Sequence, residues 1–211
     1  METAPTENAL LGGRIRLLQP SRGYRVAVDA VLLAAAVEAA PGDRVLDLGA
    51  GVGAVGLCMV ARVPDCTIVG IELQPGLAAL AARNAILNGV EHRIRTIVHD
   101  LARPLPPDVA NFDHVATNAP YLAAAVADPS PNPSKALATV ESSAGLARWL
   151  EVAAAARPMS ASSAKRASKC GSKVFLLVVL MSVNRRNSLT PASTPRFRMA
   201  VANAAGVSAP R

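Results

Sequence analysis

The segment RVLDLGAGVGAVGLCMV, which begins at Arg44, constrains the fold more than any other feature of the sequence. A run of apolar residues predicts a buried strand over 44–49, and the glycines after it predict a tight turn into an apolar helix. Glycines at such a turn let the backbone approach a ligand closely at the helix N-terminus. Gly51, Gly53 and Gly56 also match the G-x-G-x-x-G pattern of dinucleotide-binding proteins, which a tight turn without a ligand fits as well. The segment predicts the first strand–turn–helix unit of a wound α/β fold.

Strands and helices alternate along the chain after this unit. Apolar residues at helical spacing predict a helix over 77–89, which we expect to end at Asn88 and Gly89. The remaining predicted strands are 66–72, 93–100 and 112–118. Because strands and helices alternate with short connections, we expect a mostly parallel sheet with helices on both faces.

A short lead-in precedes this alternation. Apolar and charged residues alternate over 13–18, which predicts a half-exposed strand. Asp29 precedes an apolar stretch that closes at Pro41 and Gly42. We therefore expect a helix in this stretch, with Asp29 as its N-cap.

Three acidic residues end three consecutive predicted strands. Glu72 follows the glycines by about twenty residues, where a carboxylate can accept both ribose hydroxyls of NAD or S-adenosylmethionine. Asp47 could orient the glycine loop or meet a ligand's ammonium group, and Asp100 could accept a hydrogen bond from an adenine amino group. A single acid at such a place is as often a solvated turn residue. Three at one edge of a parallel sheet indicate a ligand crevice.

The stretch HVATNAPYL leads out of the fourth predicted strand into Asn118, Ala119, Pro120 and Tyr121. These residues are also compatible with an ordinary loop after a strand. Together, however, VLDLGAG, IELQ, HDL and NAPY resemble the class I, Rossmann-like methyltransferases that use S-adenosylmethionine. The lead-in GGRIRLLQPSRGYRVAVDAVLLAA is similar to that of the valine-tRNA adenine-N6 methyltransferase family, whose members carry a small methyltransferase domain. The resemblance covers about residues 12–158.

This resemblance implies an amino-group clamp at the tetrad. An exocyclic amino group is a poor nucleophile, because its lone pair is delocalised into the ring. The side-chain carbonyl of Asn118 and the backbone carbonyl of Ala119 would each accept one amino hydrogen and direct that lone pair at the donor methyl. Tyr121 would stack on a flipped base, and Pro120 would stiffen the turn. The family usually has proline at the second position, so Ala119 keeps the carbonyl and loses rigidity.

The resemblance also implies a cofactor and a substrate. S-adenosyl-L-methionine would be held by Asp47, Gly49, Gly51, Glu72 and Asp100. The expected substrate is adenine N6 in structured RNA, above all tRNA. Three alternatives stay open: a protein glutamine N5-methyltransferase of the release-factor type, a truncated inactive remnant, and a nicotinamide-dependent oxidoreductase, which would leave the tetrad unexplained.

The C-terminal part departs from this pattern. Residues 152–211 hold 10 Lys/Arg and no Asp/Glu, whereas residues 1–151 hold 12 Lys/Arg and 15 Asp/Glu. With an average acid content of about 12%, chance makes such an acid-free stretch rare. We hypothesise a shifted reading frame near residue 158 or a replaced C-terminus, which would leave the sheet altered after its fourth strand. The alternative is a basic, mostly disordered arm for RNA.

The predicted domain organisation follows from these patterns. We expect a lead-in with short strands over 1–27, a Rossmann-like methyltransferase domain over 28–158, and a basic low-complexity tail over 159–211. The apolar run 174–183 is the one strand-like piece of that tail.

Remaining features point to a cytoplasmic protein that is not bound to a membrane. The three cysteines show no paired spacing, and the N-terminus lacks the pattern of an export signal. The run 174–183 is too short to span a membrane. His92, His99 and His114 show no metal-ligand spacing, so we expect no metal, and Trp149 is expected to pack rather than to bind. The sequence does not specify an oligomeric state, and we assume a monomer.

Overall fold

Residues Arg44–Leu48 form the central strand of a β-sheet, as seen in a computed structural model of the protein. The structure describes residues 4–23, 25–119 and 143–156, together with the backbone of 173–180 and 198–203. The strands are β1 Thr6–Leu10, β2 Ile15–Gln19, β3 Arg44–Leu48, β4 Thr67–Glu72, β5 Ile94–Val98, β6 His114–Thr117, β7 Lys173–Leu180 and β8 Arg198–Asn203. The helices are α1 Val28–Ala36, α2 Ala54–Arg62, α3 Pro75–Leu87 and α4 Leu146–Ala155, and Leu11–Gly13 form a 3₁₀ turn.

The main sheet has the strand order β5-β4-β3-β6-β7-β8. All neighbouring pairs are parallel except β7 and β8, which are antiparallel. The chain adds β4 and β5 on one side of β3 and then returns to place β6 on the other side. Ligands of open α/β sheets bind at such a reversal, outside the carboxyl ends of the strands. The predicted Rossmann-like fold is confirmed.

Side chains of β3 pack alternately into two apolar clusters, one on each face of the sheet. Val45 belongs to the cluster built with α1, α2 and α3, whereas Leu46 and Leu48 belong to the cluster with Phe112 and α4. Because β3 is covered on both faces, all its residues after Arg44 are buried, the polar Asp47 included.

Asn84 of α3 and Asn88, the C-cap of that helix, attach the N-terminal hairpin of β1 and β2 to the domain. The Asn84 Oδ1 atom accepts a hydrogen bond from the Leu18 amide at 2.7 Å, and its Nδ2 donates to the Leu18 carbonyl at 2.9 Å. One turn later, Asn88 makes the same two kinds of bond with the amide and carbonyl of Arg16. The predicted strand over 13–18 is confirmed as β2, and its partner β1 was not predicted.

The first helix differs from the prediction at both ends. It begins at Val28, so Asp29 lies in the first turn and is not the N-cap; Ala27 occupies that position without a side-chain bond. The helix ends at Ala36 rather than near Pro41. The Arg62 guanidinium donates to the carbonyls of Ala34 and Val37, which satisfies the helix end from α2.

The sheet continues past the fourth predicted strand. Residues Lys173–Leu180 pair with β6 and confirm the strand expected in the apolar run 174–183. A further strand, Arg198–Asn203, was not predicted, because its short sequence RMAVAN shows no clear alternation. No helix in the described ranges is long and apolar enough to cross a membrane.

Candidate active site

A pocket opens at the carboxyl ends of the central strands. Five of the predicted site residues line it: Gly49, Gly51, Glu72, Asp100 and Asn118. They come from four separate strand ends that the parallel sheet brings to one edge. The pocket is also lined by the lead-in residue Val26 and by α1, through Ala30.

The glycine loop after β3 lies across the end of β4. Gly49 and Ala50 donate their amides to the Ile71 carbonyl at 2.9 and 3.0 Å. Gly49 has a φ of +75° and Gly51 a φ of +56°, which only glycine adopts without strain. A Cβ on Gly49 would lie 2.8 Å from the Trp149 ring. The turn therefore requires glycine here for both conformation and space.

Glu72 ties this loop to the start of α3. Its Oε2 accepts the Gly51 amide and its Oε1 accepts the Gln74 amide, both at 2.8 Å. The side chain is 6% exposed, and burial raises its pKa while these amide bonds oppose the rise. Because each carboxylate oxygen has a second acceptor site, Glu72 can still accept ligand hydroxyls.

Asp47 lies on β3 beneath the loop and does not line the pocket. It is 2% exposed, and its Oδ2 atom has no hydrogen-bond partner among the described residues. Burial, reinforced by the negative charge of Glu72, raises the pKa of Asp47 to about 8. A cationic ligand group nearby would favour its ionised form. Because Asp47 does not line the pocket, its contact with a ligand's ammonium group stays a prediction.

Asp100 closes another side of the pocket. Its Oδ1 accepts the Ala102 amide at 2.9 Å and the Ser143 hydroxyl at 2.7 Å. The bond from the Ala102 amide, and to a smaller extent the bond from Ser143, hold the pKa of Asp100 below its usual range. The carboxylate is therefore a fixed acceptor at the pocket rim, as recognition of an adenine amino group requires.

Trp149 is the main pocket residue whose place the sequence did not predict. It packs as expected, with its Nε1 donating to the Ala144 carbonyl at 3.1 Å, and its ring also forms a wall beside Gly49. His99 also lines the pocket, with a buried Nε2 that has no partner among the described residues. No motif in the sequence marks Trp149, and His99 stands in the HDL motif only as the neighbour of Asp100. The Trp149 ring, together with the polar residues that line the same pocket, fits an adenosine group.

Asn118 follows the last residue of β6 and reaches the pocket from the other side of β3. Its Nδ2 donates to Asp29 Oδ2 at 2.7 Å. Ala119 is 2% exposed. Pro120 and Tyr121, the rest of the predicted clamp, lie outside the described residues, as does Tyr24 of the lead-in.

The pKa of Asp47 predicts a pH dependence of stability. The folded protein keeps a proton on this carboxyl between its ordinary pKa of 3.8 and about 8, whereas the unfolded chain has lost it. The free energy of unfolding should therefore fall as pH rises through this window, by on the order of 1 kcal/mol per pH unit. Asp47→Asn should remove this slope.

Urea unfolding of both proteins at several pH values between about 5 and 8 checks this expectation. The free energy of unfolding of Asp47→Asn should increase relative to that of the wild type as pH rises. Parallel pH curves for the two proteins would contradict a raised pKa at Asp47.

Comparison with known proteins agrees with this geometry. The family model "Methyltransferase small domain" matches residues 25–130. A tRNA1(Val) (adenine(37)-N6)-methyltransferase from Yersinia enterocolitica is 34% identical over 104 residues, which are 49% of this chain and 41% of the relative. The chain thus matches less than half the length of this curated relative.

Two solved structures share the fold. TrmN from Thermus thermophilus has a TM-score of 0.50 and 22% identity, covering 83% of this chain and 44% of its own. A predicted O-methyltransferase from Agrobacterium tumefaciens has a TM-score of 0.51 and 25% identity, covering 74% of this chain and 63% of its own.

The family match confirms the predicted resemblance to methyltransferases that use S-adenosylmethionine. It spans half of the 211-residue chain and includes the glycine loop, the strand-end acids and the tetrad at 118–121. The chain therefore belongs to the methyltransferase small domain family.

Proposed function

We propose that this protein is an S-adenosylmethionine-dependent N-methyltransferase that acts on a planar amino group, and that its substrate is adenine N6 in tRNA. One observation carries the proposal: the Asn118 amide lies in the same pocket as the glycine loop, Glu72 and Asp100. An amide acceptor beside a cofactor pocket is the arrangement that amino-group transfer needs. The similarity to a tRNA adenine-N6 methyltransferase supports RNA as the partner.

The residues of the chain would bind and orient the two reactants. Glu72 and Asp100 would accept hydrogen bonds from ribose hydroxyls and the adenine amino group, and Trp149 would contact the base. When bound, S-adenosylmethionine supplies an electrophilic methyl carbon, whose bond to sulfur breaks as the bond to nitrogen forms.

Asn118 Oδ1 and the Ala119 carbonyl would accept the two amino hydrogens of the substrate. These two bonds localise the nitrogen lone pair and aim it into the pocket, and one amino proton leaves to solvent after transfer. Fixed acceptors of this kind lower the barrier because they need no rearrangement during the reaction.

A cytoplasmic location fits a tRNA substrate. The two cysteines in the described part of the chain, Cys58 and Cys66, are free and buried. Thiols that stay reduced are typical of the cytoplasm.

The test combines ligand binding with product analysis. Calorimetric titration of the full chain with S-adenosylmethionine should show micromolar binding, and NAD, as the control ligand, should not bind. Incubation with methyl-labelled cofactor and tRNA should place the label in N6-methyladenosine, identified by mass spectrometry of digested RNA. Label in a glutamine-containing release-factor peptide instead would identify the other planar amide substrate. Binding of NAD alone would overturn the proposal.

A further inference from the structure

The Asp29 carboxylate lies directly behind the Asn118 side chain. Asn118 Nδ2 donates to Asp29 Oδ2 at 2.7 Å, across 89 residues of sequence. The other carboxylate oxygen of Asp29 accepts the Ala30 amide in the first turn of α1, at 2.9 Å. Both acidic and amide side chains are half-buried. The carboxylate is therefore anchored to its own helix on one side and to Asn118 on the other.

This contact decides which way the Asn118 amide faces. An asparagine amide has a donor end and an acceptor end, and a half-turn about its last bond exchanges them. An ionised carboxylate only accepts hydrogen bonds, so it can pair with the NH₂ end alone. With Nδ2 held at Asp29, Oδ1 is the end left to accept a hydrogen from a group in the pocket.

We propose that Asp29 is the positioning residue for Asn118: it selects the amide orientation that presents Oδ1 to the substrate amino group and polarises that oxygen. This inference rests on the proposed amino-methyl transfer. A hydrogen bond to a charged acceptor is about twice as strong as one between neutral groups. It also draws electron density toward Oδ1, so the oxygen better stabilises the positive charge that develops on the attacking nitrogen.

Asp29→Ala and Asp29→Asn test the role in catalysis. Asparagine at this position has a single oxygen, and pairing that oxygen with the Ala30 amide turns an NH₂ group toward Asn118. We expect both variants to lower the single-turnover rate constant by about 10- to 100-fold, while the Kd for S-adenosylmethionine changes by less than about twofold. The double variant Asp29→Asn/Asn118→Asp reverses donor and acceptor and should recover at least about tenfold over Asp29→Asn. Equal loss of binding and rate, without recovery in the double variant, would overturn the positioning role.

A second measurement needs neither substrate nor turnover. In the full chain labelled with ¹⁵N-asparagine, one Nδ2 proton of Asn118 should resonate downfield and exchange slowly with water. Asp29→Ala and Asp29→Asn should remove both signatures. Ser143→Ala removes the hydroxyl that donates to Asp100 at the pocket rim. This variant should leave both Asn118 signatures unchanged. If Asp29→Ala does not fold, the Asn118 signals of Asp29→Asn alone decide the NMR test.

The kinetic and NMR measurements distinguish failure of this inference from failure of the proposed function on which it rests. Absence of methyl transfer by the wild type, together with the expected amide signatures, would defeat the proposed function and leave the contact standing. Unchanged Asn118 signals in both Asp29 variants would overturn the inference even if the wild type methylates tRNA.

Discussion

Replacement of Asn118 by alanine should lower methyl transfer by about a thousandfold while leaving the affinity for S-adenosylmethionine nearly unchanged. The variant loses the side-chain acceptor for one amino hydrogen, so the lone pair of the substrate nitrogen stays delocalised. Asn118 follows β6, whereas Gly51 follows β3, and Glu72 and Asp100 stand at the ends of β4 and β5 on the far side of β3. Loss of transfer and retention of cofactor binding are therefore separable. Single-turnover kinetics with labelled cofactor, and calorimetry on the same preparations, measure the two effects.

Ala119→Gly is the matched control for this substitution. It changes the neighbouring residue, removes a buried methyl group and keeps both carbonyls of the clamp. We expect it to lose no more than about tenfold in rate, because added backbone freedom weakens the fixed geometry without removing an acceptor. A variant at Asn118 that transfers methyl groups as well as the Ala119 variant would remove Asn118 from the mechanism.

The sequence predicts those parts of the site that lie on consecutive elements. The turn from β3 into α2 follows from one continuous run of residues, and its glycines are required by local geometry at Gly49 and Gly51. The acids Glu72 and Asp100 meet at the pocket because strands in a parallel sheet end at the same edge. Local pattern and one topological rule were sufficient for these residues.

Local sequence patterns did not predict the side-chain contacts between distant segments of the chain. The sequence around Asp29 is typical of a helix N-cap, yet in the structure its carboxylate accepts a hydrogen bond from Asn118. Trp149 reaches the pocket only because α4 packs on the second face of the sheet and places its ring over Gly49. Asp47 lies one residue before the end of β3, as predicted for a residue near the strand end, but its side chain is buried and does not line the pocket. In each case tertiary packing determines the surroundings of the side chain, and helical or strand periodicity does not encode them.

Asn84 is the clearest case, since a polar residue inside a helix is ordinarily expected on the surface. It is 0% exposed. Its side chain bonds the amide and carbonyl of Leu18 in the hairpin and, at 2.9 Å, the carbonyl of Val52 in the glycine loop. One buried amide thus joins the lead-in, α3 and the loop that follows Gly51.

Asn84→Leu should therefore lower the free energy of unfolding by about 3–5 kcal/mol, because one buried and two part-buried backbone groups lose their partners together. Urea unfolding measures this loss. The matched control is Asn88→Leu, one helical turn further on, where the equivalent bonds to Arg16 lie at the exposed surface. Water can replace those bonds, so the control should cost about 1 kcal/mol. Equal losses for the two variants would mean that burial of Asn84 adds nothing, and that the hairpin is held to the domain by its apolar contacts alone. The expected difference would instead make Asn84 the link through which the lead-in, and with it Val26, is held against the pocket.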